Sequence, residues 1–268
     1  MAADASPDVL DRDRILDGLS ASARAWVINL ALFEQIESTN THLVELAQHD
    51  DINGHVCLAE RQTAGRGRRG RSWLSPAGRN IALSLGRRFS TPGEALHSLS
   101  LVVGVAVADA VSGFDVPGVR LKWPNDILLG QAKLGGILIE LVEVGEQPTV
   151  VIGVGLNVGS GAQIQDQLDQ PIADLLDANP KVSRNALAAA LINSIVDYCR
   201  EFERTGFGAI RDTWLGLHAY QDCDVDILIG NGTVRGRVRG VTDTGELELE
   251  SEGRMLTFNS GEVSLRPT

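Results

Sequence analysis

At 268 residues and 43% hydrophobic composition, the chain can bury a full core and has room for one large domain and a smaller one. A formal net charge of -11 excludes a protein that coats nucleic acid with its general surface, although a local basic site stays open. Three scattered cysteines, Cys57, Cys199 and Cys223, lack CxxC pairing and so point to neither a disulfide framework nor a zinc site, and a reducing cytoplasm is the simplest location.

The opening MAADASPDVLDRDR is acidic and has no apolar centre, so it is not read as a signal peptide. Residues 8–20 carry Val9, Leu10, Ile15, Leu16 and Leu19, with Gly18 near the end, and predict a helix. The roughly thirty residues before the first motif are too few for a winged helix-turn-helix. Ser38-Thr39-Asn40 supplies N-cap side chains for a short helix over Thr41–Gln48.

Strand patterns follow at His55–Ala59, Ile81–Leu85, Val119–Trp123, Gly136–Val142 and Thr149–Val154. Apolar periodicity predicts long helices over Pro92–Val111 and Arg184–Glu203. The apolar run from Leu99 to Ala108 stops at Asp109, too short to span a bilayer, and no membrane association is expected. Gly159–Pro180 is polar and reads as a loop with a short helix.

Short turns between strands favour an α+β fold with a mixed or antiparallel sheet and helices packed on it. After His218 the pattern changes to five short alternating strands, Cys223–Ile229, Thr233–Val241, Glu246–Glu250, Met255–Phe258 and Glu262–Leu265, parted by glycine turns. They suggest a small barrel, hence domains at 1–217 and 218–268.

Four constellations carry chemistry. Five arginines lie between Arg61 and Arg71, with Gly65, Gly67 and Gly70 among them, against an acidic background. Cations on so flexible a backbone suit a loop that orders around a phosphate or carboxylate; a solvated basic loop is the commoner use of that composition. The string GRGRRG satisfies GxGxxG, but Pro76 and Gly78 break the helix that a dinucleotide fold would open there. Lys122-Trp123-Pro124-Asn125-Asp126 ends a strand, and Asp126 is either held toward a cleft or an ordinary turn aspartate. Lys133-Leu134-Gly135-Gly136 places a lysine where a ligand anion can approach closely, or merely a solvated hairpin lysine. Asn157 closes the run VVIGVGLN, as a metal ligand or a strand end. The histidines show no metal spacing, Trp123 reads as core, and Trp73 packs over either a ligand or the loop.

In combination, Glu37–Asn40, Gln62 with Ala64–Arg71, Lys122–Asp126, Lys133–Glu140, Gly153–Asn157 and the terminal Gly261–Arg266 resemble the biotin–protein ligase family over about residues 10 to 268. The resemblance implies a class II synthetase-like catalytic domain of the biotin/lipoate ligase type with a C-terminal SH3-like barrel. It implies activation of biotin with ATP to biotinyl-5′-AMP and transfer to a lysine of the biotin carboxyl carrier protein of acetyl-CoA carboxylase. By the same likeness Ser38, Thr39, Asn40, Gln62, Gly65, Arg66, Gly67, Arg68, Lys133 and Gly135 form the biotin and acyl-phosphate site. Arg71, Asp126 and Asn157 face the nucleotide and its Mg²⁺, and Lys133, Arg68 and Asp126 are the catalytic candidates. Relatives that also repress transcription carry a DNA-binding domain; the short acidic N-terminus here argues against DNA as a partner. A homodimer through a sheet edge is open. A lipoate–protein ligase of the same fold is the alternative enzyme, and a nucleic-acid-binding module the alternative of another class.

Overall fold

The computed structural model describes residues 8–90, 93–143, 147–168, 170–230, 232–260 and 263–267. The expected helix start at Pro92, the Gly261-Glu262 part of the terminal motif and residues 1–7 lie outside the described residues.

In the first part of the chain, strands β1 (Asn29–Ile36), β2 (His55–Gln62), β3 (Asn80–Arg88), β4 (Val119–Lys122), β5 (Asp126–Leu129), β6 (Ala132–Glu143) and β7 (Thr149–Asn157) build one sheet. Its order is β1-β2-β3-β7-β6-β5-β4, with β1 parallel to β2 and every other neighbour antiparallel. The mixed sheet expected from the short turns is present. Helices α1 (Arg12–Asp17), α2 (Ala21–Trp26), α3 (Thr39–Leu46), α4 (Leu99–Ser112), α5 (Gly161–Ile164), α6 (Leu175–Ala178), α7 (Arg184–Thr205) and α8 (Gly208–Leu217) surround it.

Strand alternation makes the two faces different. In β7, Val150, Ile152, Val154 and Leu156 enter the large apolar core under α4 and α7. The residues between them, Val151, Gly153, Gly155 and Asn157, point to the other face. β3 repeats the pattern, with Ile81, Leu83 and Leu85 in the core and Ala82 and Ser84 opposite. Helix α3 packs on that second face over a small cluster of Leu43, Ile52, Cys57 and Val151. At about 1.5–3 kcal/mol for each fully buried Val, Leu or Ile, the core face fixes the strand register. The opposite face, lined with small residues, is then left hollow.

The residues before α1 are fastened to this frame. The Asp8 carboxylate accepts from Ser183 Oγ (2.8 Å) and the Arg184 N–H (2.7 Å), capping α7. Arg184 is almost fully buried and donates to Glu60 Oε2 (2.8 Å) and the Asn80 carbonyl (2.9 Å).

Several boundaries differ from the sequence expectation. The helix expected over 8–20 is two: Gly18 closes α1, and Ser20 caps α2 by accepting from the Ala23 N–H. The helix expected over 92–111 becomes α-helical only at Leu99, after a tighter turn from Gly93 to Ser98. β1, β5 and α8 were not expected. β1 is an edge strand with blurred alternation, β5 is four residues long, and α8 follows the Gly206 break too closely to stand apart.

After His218, strands β8 (Asp224–Ile229), β9 (Gly232–Val241), β10 (Leu247–Ser251), β11 (Arg254–Phe258) and β12 (Val263–Pro267) pair antiparallel in the order β11-β10-β9-β8-β12. All five expected strands are there, as a sheet around Val225, Ile227, Val238, Leu247, Leu249 and Leu265. It docks on the first sheet through polar bonds: Trp123 Nε1 donates to the Gly245 carbonyl (3.1 Å), and Arg211 Nε to the Val241 carbonyl (2.6 Å).

Candidate functional site

The hollow face holds a cavity of about 220 Å³. Its floor is Ala82, Gly136, Gly153 and Gly155, alternate positions of three neighbouring strands. The strand glycines are needed for close approach. A Cβ at Gly155 would stand 2.5 Å from the Trp73 indole, and one at Gly153 would overlap the Asn40 amide.

At one end of the cavity, Ser38 caps α3 by accepting from the Thr41 N–H (3.3 Å), which presents Ser38, Thr39 and Asn40 to the floor. Thr39 N–H donates to Gln62 Oε1 (2.8 Å) at the end of β2. Ser84 Oγ lies 2.7 Å from Thr39 Oγ1 and 2.5 Å from Asn40 Oδ1. Asn40 Nδ2 donates to Glu140 Oε2 (2.9 Å). The resulting polar shelf is buried and almost fully satisfied within the protein.

Over the cavity runs the arginine loop. Trp73 N–H donates to the Gly65 carbonyl and Gly67 N–H to the Arg71 carbonyl, closing a tight reversal. Arg69 and Gly70 make that reversal with φ of 57° and 69°, and glycine at the second position relieves the strain. Arg66 pairs with Glu140 (2.7 Å). Arg68 Nη1 donates to Asn125 Oδ1 (3.0 Å), and its Nη2 to the Ser260 carbonyl of the second sheet. Burial first, then Arg69 beside it, pulls the Arg68 pKa down, while Asp126 opposes the shift. The indole of Trp73 lies on Gly155, and its buried N–H has no hydrogen-bond partner among the described residues. A buried donor of that kind suits a ligand acceptor.

The third wall is the turn between β4 and β5, which contains a cis Trp123–Pro124 bond. Asn125 ties it to β6, its carbonyl accepting from the Ile137 N–H and its Nδ2 donating to the Ile137 carbonyl. Asp126 is thereby held between two lysines: Lys133 Nζ at 2.6 Å and Lys122 Nζ at 3.9 Å. Burial lowers the Lys122 pKa, with Asp126 pulling the other way.

Among the described residues, seven cationic side chains line the cavity, Arg66, Arg68, Arg69, Arg71, Lys122, Lys133 and Arg266, against one carboxylate, Asp126. Such an excess in a half-enclosed space favours a polyanion. Trp73 and the strand residues offer an apolar wall beside it. For the expected metal ligands the fit is limited. Asp126 is engaged by Lys133, and Asn157 Oδ1 accepts from Ser160 Oγ (3.3 Å) while its Nδ2 donates to the Lys133 carbonyl (3.3 Å). No cluster of three or more His, Cys, Asp or Glu suited to a metal occurs among the described residues. Two such oxygens suit a hydrated Mg²⁺ carried on phosphates, not a dedicated cage.

Of the site residues expected from sequence, Ser38, Thr39, Asn40, Gln62, Arg66, Gly67, Arg68, Arg71, Asp126, Lys133 and Asn157 come together around this one cavity. Gly65 and Gly135 do not line it. Gly65 is packed under the Trp73 carbonyl and Gly135 against Leu156, so both act through spacing. Sequence reasoning missed Ser84, Glu140, Arg69, Lys122 and Arg266 as site residues. For Ser84 the signal was present: small residues at alternate strand positions in IALSLG, as in VVIGVG. Nothing local marks Arg266, which a separate sheet brings in. Cys57 and Cys199 are buried and Cys223 is exposed. Burial pushes the Cys57 and Cys199 thiols up to about 12, and Trp123 is core.

The family model for the biotin/lipoate A/B protein ligase family matches residues 32–157, and that for the biotin protein ligase C-terminal domain matches residues 224–266. The chain is 37% identical over 259 residues to the bifunctional ligase/repressor BirA of Salmonella typhimurium, covering 96% of this chain and 79% of that protein. It is 35% identical over 267 residues to the biotin–[acetyl-CoA-carboxylase] ligase of Mycobacterium tuberculosis, covering 95% of each. The biotin protein ligase of Aquifex aeolicus, solved in complex with biotin and ATP, superposes with a TM-score of 0.78 at 28% identity, over 90% of this chain and all of that one.

Proposed function

The chain belongs to the biotin/lipoate A/B protein ligase family, and from that membership we propose how its cavity works. It activates biotin with ATP to biotinyl-5′-AMP and passes the acyl group to a lysine of a biotin carboxyl carrier protein, that of acetyl-CoA carboxylase. The observation that carries this reading is the meeting of seven cations with a single carboxylate over a floor of small residues.

The chemistry needs that imbalance. A carboxylate and a polyphosphate repel: two unit charges about 4 Å apart cost on the order of 4 kcal/mol at an effective dielectric near 20. Arg66, Arg68 and Lys133 offset the repulsion around the acyl-phosphate oxygens, with Arg71 toward the rest of the nucleotide. Ser38, Thr39, Asn40 and Gln62 form the polar shelf for the ureido head, and Trp73 with the glycine floor takes the apolar rings. Gly65 and Gly135 hold the spacing. A biotin carboxylate oxygen attacks the α-phosphorus and pyrophosphate leaves. The carrier amine then attacks the acyl carbon, a C–N bond forms, the acyl–phosphate bond breaks and AMP departs. Lys133 stays charged as a clamp, while Asp126, the one lining carboxylate among the described residues, orients the incoming amine or takes its proton. Asp126 and Asn157 would face a bound Mg²⁺, which would supply charge neutralisation on the phosphates.

The C-terminal sheet, in the proposed division at residue 218, completes the pocket with Arg266 and holds the loop through Arg68. The residues before the first motif form α1 and α2, and both helices pack on α7. A homodimer through the β1 edge fits the exposed Ile28 beside it, and a cytoplasmic location fits the three unpaired cysteines. No helix among the described residues is long and apolar enough to cross a membrane.

The test is mass spectrometry of a carrier domain after incubation with the protein, biotin and Mg-ATP, with lipoate in a parallel sample. A biotin adduct on one lysine is expected. A lipoyl adduct in its place would transfer the chemistry to the other branch of the family, and no adduct from either would refute it.

A further inference from the structure

A carboxylate that does not line the cavity joins its two halves. Glu140, on the hollow face of β6, accepts from Arg66 Nη2 through one oxygen (2.7 Å) and from Asn40 Nδ2 through the other (2.9 Å). Arg66 belongs to the glycine-bearing loop over the cavity, and Asn40 to the polar shelf at the start of α3. Its side chain is only 19% exposed, so both bonds are partly shielded from water. Arg66 Nη1 also reaches Thr41 Oγ1 (3.3 Å), a second tie from the same guanidinium to α3.

The proton directions follow from elementary bonding. An ionised carboxylate accepts only, so Asn40 must present its NH₂ to Glu140 and its carbonyl oxygen to Ser84. Ser84 Oγ then faces Asn40 Oδ1 as a donor and lies 2.7 Å from Thr39 Oγ1, whose own hydroxyl donates to Gln62 Oε1 (3.1 Å). The Thr39 N–H holds Gln62 Oε1, which turns the Gln62 amide nitrogen outward as a donor. The charge at Glu140 therefore orders the donor and acceptor of Asn40 and, through it, the Ser84 hydroxyl, while the Thr39 backbone N–H orients Gln62.

We propose that Glu140 is a positioning residue for the reaction: it anchors the arginine loop over the cavity and sets the hydrogen-bond polarity of the shelf that receives the vitamin's head. This rests on the function proposed above. Glu140 touches neither substrate; it acts through Arg66 and Asn40. Two consequences follow. Losing the negative charge weakens the hold on the Asn40 amide and lets it reverse, which weakens recognition of a ligand with fixed donors and acceptors. It also frees Arg66, so the loop opens more often and the acyl-adenylate escapes before the carrier arrives.

The variants are E140Q, which keeps the shape but adds a donor, and E140D, which keeps the charge on a shorter arm. Three quantities are read: KM for biotin, kcat for carrier biotinylation, and the acyl-adenylate that escapes into solution, trapped by hydroxylamine as the hydroxamate with release of AMP. For E140Q we expect KM for biotin to rise about tenfold with kcat within about threefold, about 1.4 and 0.6 kcal/mol respectively, and the trapped fraction to rise severalfold. E140D should recover part of both. In a double-mutant cycle, R66A with E140Q should release no more adenylate than R66A alone, since the anchor acts through that arginine. Melting temperature checks that each variant is folded. If folded E140Q matches the wild type in KM and trapped product, or if its effect adds fully to that of R66A, the proposal is overturned. Should E140Q fail to fold, E140D and the R66A comparison decide alone, and a wild-type KM and trapped fraction in E140D refute it. If the wild-type protein itself yields no hydroxamate from biotin and Mg-ATP, the proposed function fails instead, which keeps the two failures apart.

Discussion

Two segments of this chain are nearly the same on paper and opposite in use. Gly65–Arg71 reads GRGRRGR, and Val234–Gly240 reads VRGRVRG. The second lies in β9, where antiparallel pairing sets Arg237 opposite Asp224 and Arg235 opposite Asp226. Each pair closes in a two-pronged bond, at 2.9 and 3.1 Å and at 2.8 and 3.1 Å, and Arg239 spans Asp222 and Glu250. The first lies in a loop, outside the strand ladders that would set acids opposite it. Among the described residues its arginines bond one carboxylate, Glu140, a hydroxyl, an amide and a backbone carbonyl. Register neutralises one cluster, while its absence leaves the other short of anions. Composition does not make an anion site; unmatched charge in a half-enclosed place does.

The largest expected effect comes from removing a cation that lines the cavity. Lys133→Ala should slow biotin-dependent pyrophosphate exchange about a hundredfold, the usual scale for deleting one preorganised electrostatic donor. Arg68→Ala should slow the same exchange and release the adenylate early, because that side chain also ties the loop to Asn125 and Ser260. Wild-type exchange in both variants would show these cations to be solvated like those of β9.

Next is the floor beneath the loop. Gly155→Ala places a methyl within 2.5–2.8 Å of the Trp73 indole, which must shift and lift the loop with it. About tenfold weaker biotin binding by calorimetry is expected, about 1.4 kcal/mol. The same change at Gly253, in the β10–β11 turn, meets no neighbour within 4 Å, so it should leave biotin binding alone, whatever strain its φ of 73° brings.

Between the two regions sits His218, packed on Trp214 with ring centroids 4.5 Å apart. Burial lowers its pKa from 6.5 to about 4, with Gln221 opposing weakly. The unfolded chain thus takes up a proton that the folded chain refuses. This contribution to stability is complete above pH 6.5 and is lost as pH falls toward 4, up to about 3 kcal/mol. Urea unfolding at pH 7 and pH 5 should show the decline, and His218→Phe should flatten it. An unchanged slope in the variant would remove His218 from the account.

How far the sequence could be read follows the same division between local and distant causes. Apolar alternation and glycine turns made most strands legible, all five of the C-terminal sheet included, because each signal lies within a few residues. Ordered motifs made most of the site legible. Lys133 and Asp126 were each ambiguous alone, and only the sheet shows them bonded to one another at 2.6 Å. Glu140 was invisible because its role depends on Arg66, 74 residues away, and Arg266 because a second sheet delivers it. β1 was hidden by partial exposure on both faces, which blurs the period of two. The β9 ladder was equally illegible: nothing in VRGRVRG says that aspartates will stand opposite.

The smallest effect should come from that ladder, and it sharpens the contrast most. Arg237→Ala removes a fully exposed guanidinium whose hydrogen bonds hold Asp224 below the usual carboxylate range. Exposed pairs are screened by water and salt and contribute little. The melting temperature and the rate of carrier biotinylation should therefore match the wild type at physiological salt. Meanwhile the Asp224 carboxyl, followed by NMR titration, should move back up toward its ordinary value. If instead carrier transfer slows while pyrophosphate exchange does not, the ladder meets the carrier. Matched charges on β9 would then be part of recognition, and the line drawn between the two arginine clusters would have to move.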